Sequence, residues 1–202
     1  MAGLAIAACL LVVDPAAAGI VVGAGDATVA PGGSVYVDVR VSLTGGSNGR
    51  IDTYTVGLSL PAGRGVRFPW DPTAAGGDGD LDSRYPLQST TSGALFATFD
   101  AVTTLGSSET GLGVNGTGSS TALFDGAGLF QVPILVDPSA AAGVVSLDVL
   151  FAQLSNSGTP LADITLDAGS ITVVPEPAAM TLALVACCGL VLRRMPVSGR
   201  RR

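Results

Sequence analysis

Residues 34–43 read SVYVDVRVSL, with Val35, Val37, Val39, Val41 and Leu43 alternating with Tyr36, Asp38, Arg40 and Ser42. A period of two over this length predicts a half-buried strand. Pro31-Gly32-Gly33 before it reads as a turn. Residues 53–60 alternate again, with Tyr54, Val56, Leu58 and Leu60 on one face. Further strand runs lie at 94–101 (ALFATFDA), 129–136 (LFQVPILV), 144–152 (VVSLDVLFA), 161–166 and 170–173. Pro133 marks an edge or a bulge in its run, because proline donates no ladder hydrogen bond. Val37, Val39, Val149 and Phe151 are expected to face the core. No segment between 19 and 174 carries a helical period. Seven to nine short strands with Gly-rich turns predict an all-β fold, an antiparallel β-sandwich. Residues 62–93 and 103–120 are expected to be long loops. The second (TTLGSSETGLGVNGTGSS) reads as mobile and low in complexity.

Both ends of the chain break the strand pattern. Residues 2–13 (AGLAIAACLLVV) form an apolar run of signal-helix length. Ala16-Ala17-Ala18 follows, a small-residue site with Ala16 and Ala18 at the recognised positions and cleavage expected before Gly19. Ile6-Ala7-Ala8-Cys9 also fits a lipobox, and a buried N-terminal helix fits the same run. At the other end, residues 178–192 (AAMTLALVACCGLVL) are apolar and lie between Val174-Pro175-Glu176-Pro177 and Arg193-Arg194. Fifteen helical residues span about 22 Å, short of a hydrocarbon core of about 30 Å. A short transmembrane helix of this kind suits transient holding. The arginines would keep the extreme end cytoplasmic. Pro175 and Pro177 stop a helix from running back into the body. An ordinary single-pass tail anchor is the alternative reading. The expected layout is a signal peptide over 1–18, a sandwich over 19–174 and a C-terminal signal over 175–202.

Composition narrows the chemistry. The 202 residues contain no His, and all ten basic residues are Arg. His-dependent triads, His-ligated metals and Schiff-base lysines are therefore excluded. Cys9, Cys187 and Cys188 all lie in the end segments, so the body has neither a disulfide framework nor a Cys nucleophile. Ser107-Ser108 and Ser119-Ser120 lack a His base. Residues 19–174 hold thirteen Asp and one Glu against five Arg, a net of −9. A body this acidic repels phosphate backbones, so no nucleic-acid partner is expected. Asp78, Asp80 and Asp82 alternate in a Gly-rich loop and could supply oxygens to a calcium ion; no other cofactor is expected. The pattern fails as an EF-hand, since Ser83 stands at the turn glycine and Ser89 at the bidentate acid. The alternative is a solvated acidic loop. Trp70 with Phe68 and Tyr85 could form an aromatic platform for a sugar ring, or Trp70 could plug the core. Fourteen acids in no recognisable motif give no glycosidase pair, and the protein is not expected to be an enzyme.

Two resemblances follow from these residues. Pro175-Glu176-Pro177, the apolar run and Arg193-Arg194 together resemble the PEP-CTERM sorting signal, a tail also labelled an ice-binding-protein C-terminal domain. That resemblance implies an exosortase-type processing enzyme as partner and an exopolysaccharide context. It implies export, holding at the membrane during processing, and a final place at the cell surface or in the extracellular matrix. Residues 27–43 with 51–58, and residues 152–173, resemble the opening and closing strands of cohesin and carbohydrate-binding-module sandwiches, a jelly roll. The expected function is that of a secreted, non-enzymatic envelope or matrix protein, structural or adhesive. The alternative is a binding module for carbohydrate or a protein partner.

Overall fold

The alternating run of residues 34–43 forms β3 (Ser34–Thr44), whose Val37, Val39 and Val41 are buried while Arg40 and Ser42 are exposed. The computed structural model describes residues 19–45, 49–71, 81–82, 84, 87 and 99–175. The expected signal helix over 1–18 and the sorting segment beyond Pro175 lie outside these residues. Among the described residues every element is a strand. Before β3 come β1 (Gly19–Ala24) and β2 (Ala27–Val29). After it come β4 (Arg50–Ser59), β5 (Val66–Arg67), β6 (Phe99–Ser107), β7 (Gly111–Ala122) and β8 (Ala127–Val136). The chain continues through β9 (Gly143–Asn156), β10 (Thr159–Pro160), β11 (Ile164–Asp167) and β12 (Gly169–Val173).

These strands make two sheets, in the orders β11-β1-β3-β8-β5 and β2-β12-β9-β4-β7-β6, with β10 against β9. Their inner faces meet in one apolar core, to which β4 gives Ile51, Tyr54, Val56 and Leu58 and β8 gives Phe130, Val132 and Ile134. The sandwich expectation holds, but it is not purely antiparallel. β1 pairs with β11 and β2 with β12, and both pairs run parallel. The reason is a shared crossing. The chain leaves the first sheet for the second at Gly25-Asp26, and again at Ala168, so the two ends run side by side in one direction. The Asp26 carboxylate holds the crossing together by accepting from the Ser170 backbone N–H at 2.9 Å and its hydroxyl at 2.7 Å.

Two expectations need correction, each for a reason visible in the pairing. Residues 103–120 are not a mobile loop but most of the β6–β7 hairpin. Their glycines are spacing devices. A Cβ at Gly116 would lie inside the Tyr54 ring, 2.5 Å from its hydroxyl. Of the expected strand at 94–101, residues 99–101 lie in β6 and residues 94–98 lie outside the described residues. Phe151 does not face the core. The β4–β9 register runs Gly57↔Phe151 and then Leu58↔Val149, so Leu150 is an extra, bulged residue. The bulge reverses the parity of β9, leaving Val145, Leu147 and Val149 buried on one side of it and Leu154 on the other. Phe151 is turned outward, 49% exposed.

Pro133 stands as expected at an edge, since β5 pairs only with Leu135 and Val136. A second bulge in β8 leaves Leu129 without an opposite residue between Val39↔Phe130 and Arg40↔Gly128. The Tyr54 hydroxyl crosses the core and donates to the Leu129 carbonyl at 3.1 Å. Its ring stacks on Phe130 at a centroid distance of 5.8 Å. Burial pushes the Tyr54 phenol well above its ordinary value, so it remains a donor. Tyr54→Phe keeps the ring and removes only this bond. It is expected to cost about 1–3 kcal/mol, the penalty for an unsatisfied buried carbonyl, read from a denaturant melt. An unchanged midpoint would show that water reaches Leu129.

A candidate docking face

The outer faces of the two sheets differ. On the first, Arg40 pairs with Asp38, and the Gln131 amide donates to the same carboxylate at 2.6 Å. The Asp38 carboxylate on that face is thus held from both sides. On the second, the strands β9, β4, β7 and β6 present an open surface with apolar side chains along β9. Val144, Leu150 and Phe151 are 62%, 60% and 49% exposed.

The position of Phe151 follows from its neighbours. Gly57 lies opposite it on β4, Gly113 lies opposite Gly57 on β7, and Gly106 lies opposite Gly113 on β6. The row has no side chain beyond Phe151. A Cβ at Gly57 would come within 2.6 Å of Phe151 Cδ1, so the ring rests on bare backbone. Leu150 projects beside it because the bulge releases it from the ladder. Polar groups frame the row. Thr55 Oγ1 donates to Asn115 Oδ1 at 3.1 Å, and the Ser146 hydroxyl donates to Asp148. An aromatic anchor beside a flat, featureless strip, with satisfied polar groups around it, is the anatomy of a protein interface. The sequence reading missed this site because it placed Phe151 inside. The available signal was Leu150-Phe151 itself, two adjacent large apolar residues in a run that otherwise alternates.

The residues singled out from sequence fall elsewhere. Gly19 opens β1, and its carbonyl accepts from the Thr44 hydroxyl at 3.2 Å; Ala16 and Ala18 lie outside the described residues. Pro175 is exposed, one residue past Val174, whose N–H donates to Val29. Glu176, Pro177, Arg193 and Arg194 lie outside the described residues. Of the acidic loop, Asp82 is described and Asp78 and Asp80 are not. Arg84 binds the Asp82 carboxylate through Nε at 3.0 and 2.9 Å, and holds its pKa down to about 2. Arg84 thus supplies positive charge where the sequence reading placed a cation, and the calcium expectation rests on Asp78 and Asp80. Among the described residues no three acids converge as a metal site.

Of the three aromatics weighed as a platform, two are described. Phe68 is wholly buried in the core, directly after β5, and its backbone N–H donates to the Glu109 carbonyl at 2.9 Å. Trp70 is half-buried and bridges to Leu81. Tyr85 lies outside the described residues. Among the described residues no helix is long and apolar enough to cross a membrane.

No protein-family model and no curated protein matches the chain. Solved structures do. A non-cellulosomal cohesin from the archaeon Archaeoglobus fulgidus aligns with a TM-score of 0.53 at 14% identity, covering 81% of this chain and 97% of that one. The seventh ScaB type I cohesin from Pseudobacteroides cellulosolvens aligns at 0.53 and 15% identity, over 91% and 99% of the two chains. A type I cohesin–dockerin complex from Clostridium thermocellum aligns at 0.54 and 12% identity, over 77% and 99%. At such identities the likeness concerns the fold, and the fold of this chain is the all-β sandwich of cohesin domains.

Proposed function

We propose that this protein is a non-enzymatic binding module that docks a protein partner on the outer face of β9, β4, β7 and β6. Leu150 and Phe151, adjacent and exposed, with the Phe151 ring resting on a bare glycine strip, carry the reading. It is supported by the likeness to cohesins, several of them solved in complex with dockerins. Two desolvated apolar anchors of this size contribute about 2–4 kcal/mol each at an interface centre. In a binding assay of the immobilised body against exported proteins of the source organism, Leu150→Ser with Phe151→Ser is expected to weaken capture more than tenfold. The melting temperature should hardly move, because both side chains are already exposed. Undiminished capture by the double variant, or retention of glycans alone, overturns this docking face.

The module is proposed to act outside the cell, delivered through the Pro175-Glu176-Pro177 tail and an exosortase-type enzyme, in an exopolysaccharide-bearing envelope or matrix. Support comes from the order of motif, apolar run and arginine cluster in the sequence. The expected mature mass lacks residues 1–18 and the apolar run 178–192. A surface-exposed protein that retains Arg202 in its intact mass removes the processing proposal.

A further inference from the structure

The C-terminal run begins beside the exposed face. β12 pairs with β9 so that Thr172 lies opposite Val144 and Val173 opposite Gly143. The chain therefore leaves the fold at Val174, next to Val144, at one end of the apolar side chains on β9. From Val144 to Phe151 the strand runs about 20 Å, six ladder steps of about 3.3 Å with Leu150 bulged out of the count. The apolar run 178–192 has fifteen residues, which as a helix measure about 22 Å. The charges also complement one another. The body over 19–174 carries a net −9, while all five arginines beyond residue 174 follow the apolar run. Origin, length and sign agree.

We propose that, before processing, residues 178–192 of the same chain cover the outer face of β9, from Val144 to Phe151. This rests on the docking reading above and adds its regulation: removal of the tail uncovers the face. An apolar run tethered beside Val144 meets the exposed apolar side chains of β9 at a high effective concentration, and burial removes both from water. A lipid bilayer would compete for the same run, so insertion or cleavage frees the face for a partner.

The chain itself provides the probe. The body has no cysteine, whereas Cys187 and Cys188 lie in the run. In the full chain carrying Cys9→Ala, a single cysteine is placed on the covered face as Asp148→Cys, or as Ser146→Cys should the first variant misfold. The control is Ser42→Cys, exposed on the outer face of the opposite sheet. The thirteen residues from Val174 to Cys187 reach about 43 Å when extended, so a loose tether would join either face. Mild oxidation in dilute, detergent-free buffer is expected to close an intramolecular disulfide in most Asp148→Cys molecules and in fewer than a tenth of Ser42→Cys molecules. Phosphatidylglycerol vesicles should reduce the first yield at least fivefold. Equal yields from both faces, no disulfide from either β9 site, or only disulfide-linked dimers would overturn the proposal. None of these outcomes touches the docking reading, which the Leu150 and Phe151 variants test without the tail.

Discussion

Val39→Asp is expected to leave the chain unfolded at all temperatures. Val39 is 0% exposed, on the inner face of β3, with Phe130 opposite it on β8. A lone carboxylate there has no partner, and burying it costs several kcal/mol whether it stays charged or is forced to take up a proton. Typical domains hold about 5–15 kcal/mol in total. The adjacent Arg40→Asp is the control. Arg40 points outward, and its change loses the surface pair with Asp38 and adds one repulsion, about 1 kcal/mol. Circular dichroism melts of the two variants decide the register of β3. A folded Val39→Asp beside an unfolded Arg40→Asp would mean that the strand is inverted.

Gly169→Ala is expected to destabilise the folded chain strongly, from a single methyl group. A Cβ at Gly169 would press on the carbonyl oxygen of Gly25 and lie 2.7 Å from that of Ala24. Both are backbone atoms, so no side chain can rotate away. The two crossings would have to part, loosening the Asp26–Ser170 bonds. Overpacking usually costs about 1–3 kcal/mol, and a backbone obstacle puts this case at the upper end or beyond. At about 2–4 °C per kcal/mol for a chain of this size, the midpoint should fall by roughly 6–12 °C. Gly126→Ala separates the causes: Gly126 has φ +78° with open space around it. Left-handed strain alone costs about 1–2 kcal/mol. If the two variants melt together, steric pressure at Gly169 is not the cause.

Legibility in the sequence followed locality. β3 could be read because its alternation needs no partner to explain it. β7 could not: Gly113 and Gly116 make sense only beside Phe151, Gly57 and Tyr54 on other strands. The position of Phe151 was misread because a bulge is a relation between two strands, and one strand alone shows only two adjacent apolar residues at Leu150-Phe151. The candidate face was hidden for the same reason, since its floor is a row of glycines drawn from three separate segments. The parallel edges were out of reach altogether, because Asp26 and Ser170 meet across 144 residues.

That meeting bears on the order in which the protein can be assembled. Each sheet keeps an end position open until the last strands arrive: β1 waits for β11, and β2 for β12. A chain emerging N-terminus first would carry β1 paired with β3 on one side only, and β2 with no ladder partner, until residues 164–173 had appeared. Closing contacts over such separations is slow, and open strand edges in the interval invite pairing with other chains. Loss of the final strands would therefore not give a slightly smaller sandwich. It would leave an uncapped edge on each sheet, and fragments ending before Asp163 should aggregate rather than persist as monomers.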